Sequence, residues 1–549
     1  MDYNKLADLL LPNITKTPDD YASAYPAREL KEGAVVTRFA PSPTGFLHIG
    51  AIYASMVGQR AAKSTEGVFF LRIEDTDKLR EIDDGVTEIV KGLSAFGIVA
   101  DEGFQPDGGE KGNYGPYKQS ERAEIYQCYV KELIKKGLAY PCFCEEDEMA
   151  RIREQQEKNK QTTGYYGEFA KCRNLSLEEI EQNIKEGKPF VVRLKSPGDE
   201  NKRISFVDAI KGKIEMPENN QDIVLLKRDG IPTYHFAHAI DDHLMGTTHV
   251  IRGDEWISST PTHLQLFWVL GFKPPKYAHI APIMKEDNGG KRKLSKRKDP
   301  EAAVMFYHSE GYPKEAVMEY LTTISNSNFE DWRKANKFES IDKFPFTFKK
   351  MSVSGALFDM NKLIDVSKNV ISLFDADYVY ECVSNWAKQY DEDFYNIISR
   401  DAEYTASLFQ IDRGGKNPRK DIAKWSDAKA YCEFFFDELF TPNDCYPEQL
   451  SKEDIKAVLT EYVKAYNEDD DKDAWFANIR SLCEPLGFSP DVKAYKQSPE
   501  SFKGHVGDVS TIIRVATTGR VNTPDLWSIM KLLGKQRVLQ RLNDAINRI

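Results

Sequence analysis

Residues 34–50 read AVVTRFAPSPTGFLHIG, and their pattern predicts the start of an α/β fold. Its first part, 34–40, is mostly apolar and predicts a buried parallel strand. The run 41–45 contains two prolines and a glycine and predicts a turn, and the apolar periodicity of about 48–62 predicts a helix. A second strand at 68–73 and a helix over roughly 83–96 continue the pattern. Such a start is typical of a doubly wound sheet, whose ligand crevice lies at the carboxyl ends of its strands.

The pattern changes further along the chain. Short polar helices and short strands between about 122 and 229 predict a mixed α and β insert. A strand at 248–252, a helix at 260–270 and a strand at 277–283 then resume the α/β character. From residue 300 onward apolar residues recur at helical spacing with little strand signal, which predicts an all-helical second half.

Composition limits the class of protein. The chain has 549 residues and a net charge of -11, so a nucleic-acid partner must be met by local basic patches. The run 291–298, KRKLSKRK, is such a patch, with six basic residues of eight. The sequence has no signal-like start and no apolar run of about 18 residues, which disfavours secretion and membrane insertion. Eight scattered cysteines do not make a disulfide framework, so we expect a cytoplasmic protein.

The sequence contains neither of the common glycine-rich phosphate-binding motifs, G-x-x-x-x-G-K-[ST] and G-x-G-x-x-G. A nucleotide would therefore have to be bound by other residues. Instead His48 precedes the predicted helix, where unpaired N–H groups favour anions, and Gly50 lets an adenine ring approach the backbone. Taken alone, a histidine at a helix start is more often an ordinary capping residue. Downstream, Lys293 and Lys296 stand on a predicted loop after the last sheet strand, where two cations can stabilise a leaving pyrophosphate.

These two segments resemble the signatures of class I aminoacyl-tRNA synthetases. His48-Ile49-Gly50 is similar to the first three letters of H-I-G-H, and 293–297, KLSKR, is similar to K-M-S-K-S. Longer strings resemble the glutamyl-tRNA synthetases of the bacterial type, in order from about residue 34 to 300. They are TRFAPSPTG at 37–45, LRIEDTD at 71–77, GPYKQSER at 115–122, PTYHFA at 232–237, DDHLMG at 241–246 and VIRGDEW at 250–256. The C-terminal strings at 523–527 and 533–535 are similar to the same family but less specific.

The resemblance implies an α/β fold of the class I synthetases. A Rossmann-type parallel sheet carries an inserted α+β acceptor-binding domain and is followed by an all-α anticodon-binding half. The expected domains are an N-terminal extension at 1–33, the two Rossmann halves at 34–121 and 231–290, an acceptor-stem-binding insert at 122–230, a stem-contact domain with the KLSKR loop at 291–365, and two helical anticodon-binding subdomains at 366–460 and 461–549.

The resemblance also implies the substrates, which are ATP with Mg²⁺, L-glutamate and tRNA(Glu). Glu74, the Ser42 hydroxyl and the Ala40 carbonyl are expected to hold the α-ammonium of glutamate, and Arg252 its α-carboxylate. Arg38 and the Tyr234 hydroxyl are expected to hold the side-chain carboxylate. For His238 a substrate contact and a packed neutral histidine are both open. The expected ATP site consists of His48, Gly50, Lys293, Leu294, Ser295, Lys296 and Arg297, with His48, Lys293 and Lys296 catalytic.

A zinc site is a further implication, since related synthetases hold zinc in this insert through C-x-C and a later cysteine. Cys142, Cys144 and Cys172 are the candidate ligands, with Tyr165 or Tyr166 as the fourth. Plain buried thiols remain the alternative reading.

The helical half is expected to contact the anticodon, with Arg413, Lys416 and Arg419 as candidate tRNA ligands; phosphate contacts or solvated surface are the alternatives. Whether tRNA(Gln) is also charged stays open, and a monomer is expected from the family. The rival functions are a glutaminyl-tRNA synthetase and another class I nucleotidyltransferase-like ligase. The helical tail disfavours the first, because glutaminyl enzymes end in β-barrels.

Overall fold

The computed structural model describes residues 1–43, 47–77 and 84–549. They form two compact units: Met1–Phe306 with Met318–Asp359, and Tyr307–Val317 with Met360–Ile549. Part of the predicted turn, 44–46, and the predicted helix start at Asp83 lie outside the described residues. Within the described part, no helix is both long and apolar enough to cross a membrane. The finer division into seven domains remains a prediction.

The chain opens with two short helices and then forms the parallel sheet that the sequence predicts. Strands β1, β2 and β3 pair in parallel in that order, and β4 adds an antiparallel edge. The first elements are α1 Tyr3–Leu10, α2 Pro18–Ala24, β1 Val36–Phe39, α3 Ile49–Lys63, β2 Val68–Leu71, α4 Gly85–Ser94, β3 Glu102–Phe104 and β4 Glu110–Lys111.

The insert that follows contains a three-stranded antiparallel sheet, β5-β6-β9, and a hairpin, β7-β8. Its elements are α5 Ala123–Lys135, β5 Ala139–Cys142, α6 Glu146–Lys158, α7 Leu177–Lys185, β6 Val191–Leu194, β7 Arg203–Asp208, β8 Gly212–Pro217 and β9 Val224–Leu226. Sequence periodicity misses the hairpin, since most of its residues are exposed or half-buried.

The α/β unit then resumes with two further parallel strands and ends in a hairpin. Its elements are α8 Tyr234–Leu244, β10 His249–Gly253, α9 Thr260–Leu270, β11 Lys276–Ile280, β12 Met284–Asp287 and β13 Gly290–Lys293. The Thr248 N–H donates to the Val36 carbonyl over 3.0 Å, which joins the start of β10 to β1. The Ala209 N–H donates to the Tyr277 carbonyl over 2.8 Å and ties the insert hairpin to β11. The ends of β1, β2 and β10 therefore lie side by side.

The rest of the chain is helical, as the sequence predicts. First come α10 Val304–Glu310, α11 Lys314–Ser325 and α12 Phe329–Ala335. One hydrophobic core running from Ile371 to Ala545 holds the helices of the second unit together. These are α13 Met360–Leu373, α14 Ala376–Tyr390, α15 Glu392–Ile398, α16 Ala402–Gln410, α17 Asp427–Cys432, α18 Lys452–Ala465, α19 Lys472–Ser481, α20 Cys483–Leu486, α21 Val492–Gln497, α22 Val506–Thr518, α23 Leu526–Leu533 and α24 Lys535–Arg548.

Candidate active site

A cavity of about 690 Å³ lies at the carboxyl ends of the central strands. Most of the candidate substrate residues line it although they come from distant parts of the sequence. They are Arg38, Ala40, Ser42, His48, Gly50, Glu74, Tyr234, Arg252, Lys293, Leu294 and Lys296. Ser295 and Arg297 belong to the same loop but do not line the cavity, and His238 does not line it either.

His48 caps the amino end of α3. Its Nδ1 accepts the Ala51 N–H over 3.1 Å, so in the neutral ring the proton is on Nε2. Burial, followed by the charges of Lys296 and Lys293, lowers the pKa of His48. A neutral imidazole with an Nε2–H donor suits contact with a phosphate. Gly50 also gives the His48 ring its room, because a Cβ at residue 50 would lie 2.9 Å from His48 Nδ1 and would force the ring to shift.

Arg38 lies on β1 and is buried with its counter-ion. Its Nε is 3.1 and 3.2 Å from the two carboxylate oxygens of Asp242, and its Nη2 is 3.5 Å from His238 Nδ1. Asp242 also accepts from Arg72 Nη1 over 2.8 Å. Two arginines thus share the carboxylate of Asp242, and Arg72 is also bonded to Glu74 over 3.0 Å.

Glu74 follows β2 and supplies the acidic group of the cavity. Its Oε1 accepts from Arg72 Nη2 over 3.0 Å, and its N–H donates to the Pro41 carbonyl over 3.0 Å. Burial raises the pKa of Glu74, while the positive charges of Arg72 and Arg38 oppose that rise. The carboxylate is fixed in place and retains acceptor capacity toward the cavity.

Tyr234 begins α8, and His238 lies one turn further on. Their rings stack at a centroid distance of 5.9 Å. His238 is fully buried, with Nδ1 2.7 Å from Asp242 Oδ2 and Nε2 3.1 Å from the Tyr277 hydroxyl. Burial lowers the pKa of His238 to about 4. Of the two readings left open for His238, this arrangement favours the packed neutral histidine, because the ring is fully buried, is bonded to Asp242 and Tyr277, and does not line the cavity.

Arg252 lies on β10 and is buried among uncharged partners. Its Nε donates to His279 Nε2 over 3.0 Å, and its Nη1 is 2.8 Å from His263 Nδ1. Its Nη2 donates to the Thr260 hydroxyl over 3.0 Å and to the Trp256 carbonyl over 3.3 Å. Among the residues that the structure describes, no carboxylate pairs with this guanidinium. Its charge is available to an anionic ligand.

The lysines are carried by the β12–β13 hairpin and the loop after it. Lys293 ends β13, and the next N–H, of Leu294, donates to the Ile283 carbonyl over 2.9 Å. Asp299 braces the loop by accepting from both terminal nitrogens of Arg292, at 2.6 and 2.8 Å, and from the Ser295 N–H at 2.9 Å. The sequence predicts a loop here, and the structure begins it with a strand. Burial lowers the pKa of Lys296.

Several residues in or behind the cavity wall were not among the predicted site residues. Asp242, His263 and His279 hold the two arginines predicted to bind substrate, and Trp256, which lines the cavity, packs 4.6 Å from Tyr234 between ring centroids. Asp242 and Trp256 occur in the strings that carry the family resemblance. The two histidines give no signal, because each sits within an apolar helix or strand and looks like an ordinary core position.

The three candidate zinc ligands lie together in the insert. The sulfur atoms of Cys142, Cys144 and Cys172 are all within 4.8 Å of one another, and this is the only such group found in the described residues. Cys144 Sγ is 3.7 Å from Cys172 Sγ and 3.2 Å from the Tyr165 hydroxyl. The Tyr166 hydroxyl instead donates to the Thr162 carbonyl over 2.7 Å. Tyr165 is therefore the tyrosine of the two that lies at the cluster.

The candidate tRNA ligands of the helical unit differ in their surroundings. Arg413 is half-buried and donates to the carbonyls of Phe409, Ile371 and Phe374 at 2.7, 2.7 and 2.9 Å. Arg419 pairs with Asp421 at 2.7 and 2.9 Å. Lys416 is exposed.

Two family models match the chain. Residues 34–365 match tRNA synthetases class I (E and Q), catalytic domain, and residues 492–546 match an anticodon binding domain. The first match covers the whole cavity, and the second covers the last helices.

Curated relatives match along the full length. A glutamate-tRNA ligase of Clostridium perfringens strain 13 is 50% identical over 546 residues, which is 99% of this chain and 100% of that protein. One of Acetivibrio thermocellus is 48% identical over 543 residues, 99% of each chain. A crystal structure of a glutamate tRNA ligase from Elizabethkingia meningosepticum, in complex with its amino acid, has a TM-score of 0.75 at 28% identity and covers 93% of this chain and 99% of its own. These matches confirm the fold class, and the chain belongs to the class I tRNA synthetase family of the E and Q enzymes.

Proposed function

We propose that this protein is a glutamate-tRNA ligase, which activates L-glutamate with ATP and transfers it to the 3'-terminal adenosine of tRNA(Glu). The observation that carries the proposal is the set of side chains that line this cavity. Two buried arginines, one buried glutamate, a neutral histidine at a helix start and two lysines line it together. The relatives named glutamate-tRNA ligase support the same function.

The amino-acid half of the cavity matches the three charges of glutamate. Arg252, which has no counter-ion among the described residues, suits the α-carboxylate. Arg38, with the Tyr234 hydroxyl, suits the side-chain carboxylate. Glu74, together with the Ser42 hydroxyl and the Ala40 carbonyl, suits the α-ammonium. Charge-assisted bonds of this kind are stronger than neutral ones.

The nucleotide half lies between the start of α3 and the lysine loop. In the reaction an oxygen of the α-carboxylate attacks the α-phosphorus of ATP, the bond to the bridging oxygen breaks, and pyrophosphate leaves. The 3'-terminal ribose hydroxyl of tRNA then attacks the carbonyl carbon, and AMP leaves. His48 Nε2–H, Lys293 and Lys296 contribute preplaced positive charge as charge develops on the leaving phosphates. Mg²⁺ would accompany ATP as part of the substrate.

The insert is proposed to hold one structural zinc. Tetrahedral zinc with Zn–S bonds of about 2.3 Å sets its sulfur ligands about 3.8 Å apart, and the 3.7 Å between Cys144 and Cys172 fits this spacing. Cys142 and the Tyr165 oxygen would complete the set. Zinc would fix the fold of the segment proposed to receive the acceptor stem.

The remaining proposals concern the partner and the setting. Residues 122–230 and 291–365 would contact the acceptor arm and stem, and the helical unit would contact the anticodon. The protein would act as a cytoplasmic monomer. Charging of tRNA(Gln) with glutamate is an open second activity of this same site.

Charging assays test the function. Purified protein should attach labelled glutamate to tRNA(Glu) in the presence of ATP and Mg²⁺ and release one AMP for each glutamate attached. A parallel assay with tRNA(Gln) decides the breadth of tRNA recognition. Absence of glutamate attachment to either tRNA would contradict the proposal.

A further inference from the structure

The guanidinium of Arg252 depends on uncharged imidazole acceptors. A histidine ring nitrogen accepts a hydrogen bond only when it carries no proton, so the tautomer of His279 determines whether its Nε2 can hold Arg252. We infer that Asp208, on the insert hairpin, is a positioning residue that fixes this tautomer. The inference rests on the proposed role of Arg252 as the ligand of the α-carboxylate.

Asp208 meets His279 at two points. Its Oδ2 is 2.7 Å from His279 Nδ1 and also accepts the His279 backbone N–H over 3.0 Å. Its Oδ1 accepts the N–H groups of Ile210 and Lys211 at 2.9 and 2.8 Å. Both oxygens of a buried carboxylate are therefore fixed as acceptors. Nδ1 of His279 must donate to Oδ2, and Nε2 is left without a proton.

The remaining contacts extend the arrangement to the cavity. His279 Nε2 accepts from Arg252 Nε over 3.0 Å, and the ring is fully buried. Asp208 thus orients Arg252 through a neutral ring. A carboxylate in direct contact would instead form an ion pair and reduce the attraction of Arg252 for a substrate anion. Arg38, which is in direct contact with Asp242, shows the other arrangement.

Substitution of Asp208 by asparagine keeps the shape of the side chain. It removes the negative charge and replaces one acceptor oxygen by an NH₂ donor, which changes the tautomer of His279. Whichever way the amide is turned, its NH₂ group faces donors. On one side these are the N–H groups of Ile210 and Lys211, and on the other the backbone N–H and ring of His279. When the NH₂ group faces His279, only one backbone N–H, that of His279, loses its acceptor. The NH₂ group then donates to His279 Nδ1, which must accept. The ring proton then moves to Nε2, where it faces the Arg252 Nε–H.

A double-mutant cycle tests the inference in glutamate-dependent ATP–pyrophosphate exchange with tRNA(Glu) present. Asp208→Asn should raise the KM for glutamate about tenfold or more, with the KM for ATP nearly unchanged, because a bond to a charged group is weakened on one substrate only. His279→Gln offers an amide oxygen near the position of Nε2 without any tautomer. It should keep the KM for glutamate within about threefold, and adding Asp208→Asn to it should cause little further change.

The opposing outcomes are distinct. An unchanged KM for glutamate in Asp208→Asn, an equal rise for ATP, a large loss in His279→Gln, or the same effect of Asp208→Asn in both backgrounds would overturn the positioning role. Loss of the fold in Asp208→Asn, seen by circular dichroism, would assign Asp208 to stability and overturn it too. Failure of the proposed function is recognised separately, because the unsubstituted protein would then show no glutamate-dependent exchange.

Discussion

Arg38 and Arg252 face the same cavity with different electrostatic surroundings. Arg38 shares the carboxylate of Asp242 with Arg72, whereas Arg252 is bonded to neutral rings and oxygens. Removing one partner of a buried ion pair is strongly destabilising, while an arginine held by neutral acceptors attracts any anion that can replace water beside it. We therefore expect Arg252 to contribute mainly to carboxylate binding and Arg38 to contribute to both pocket structure and specificity.

Lys296 is proposed to stabilise the transition state of glutamate activation rather than the bound substrates. Lys296→Ala should lower kcat of glutamate activation about a hundredfold or more with little change in the KM for glutamate, because a cation beside the departing pyrophosphate stabilises the transition state selectively. Pre-steady-state adenylate formation measures this. Lys298→Ala, an exposed change in the same basic run that does not line the cavity, is the matched control. A loss confined to KM would contradict the assignment.

Sequence reasoning found the residues at strand ends and missed those behind them. Arg38, Glu74 and Arg252 stand at the carboxyl ends of recognisable strands within specific strings, so both position and chemistry were readable. Asp208 and His279 were not readable as partners. Their contact joins a hairpin of the insert to β11, and a pairing over 71 residues of sequence depends on tertiary packing rather than on local pattern.

At the scale of single elements, the lysine hairpin shows the same limit. Strand β13 reads Gly-Lys-Arg-Lys, a composition with low strand propensity, and the sequence predicts a loop there. The strand forms because it pairs with β12 from Met284 to Asp287 and because Arg292 bonds to Asp287 over 2.6 Å. Tertiary pairing overrides local preference. It also fixes the position of Lys293 at the end of a strand.

The cysteine cluster yields a prediction for the insert. Metal analysis should find one zinc per chain, and Cys142→Ser should remove it and lower the Tm of the protein, because structural zinc contributes its binding free energy to folding. Cys128→Ser, at a buried cysteine outside the cluster, is the control and should retain the metal. A metal-free preparation that is fully active, and whose Tm does not change on addition of zinc, would exclude a structural zinc site at these cysteines.

The helical unit offers a matched pair of basic residues. Arg413→Ala removes bonds to three backbone carbonyls at the ends of α13 and α16, so it should lower the free energy of unfolding by about 2 kcal/mol or more. Lys416→Ala should change unfolding by less than about 0.5 kcal/mol but weaken tRNA binding if this lysine contacts a phosphate. Denaturant unfolding and filter binding measure the two effects. A stable Arg413→Ala protein with weak tRNA binding would contradict the structural role of Arg413 and assign this residue to tRNA binding.

At the scale of the whole molecule, the sequence predicted the succession of a parallel sheet, an insert and a helical half. The strand at 34–40 corresponds to β1 and the helix at 48–62 to α3, with ends that differ by one or two residues. These elements were predictable because buried strands and amphipathic helices carry their own periodicity. The short exposed strands of the insert were not, because pairing and not burial defines them.

We propose that charge in this cavity selects glutamate over its neutral analogue glutamine. Arg38→Ala tests it without removing all support from the pocket, since Asp242 keeps Arg72 at 2.8 Å and His238 at 2.7 Å. A buried carboxylate that loses its cationic partner typically costs about 3 to 5 kcal/mol. Neutral glutamine has no such charge to lose.

The decisive measurement is the ratio of kcat/KM for glutamate to kcat/KM for glutamine, in the unsubstituted protein and in Arg38→Ala, with tRNA(Glu) present throughout. The ratio should fall by a factor on the order of a hundred or more, with most of the loss on the glutamate side. An unchanged ratio, with both activities falling together, would contradict selection of glutamate by the charge of Arg38 and would assign Arg38 to the fold or the ATP site.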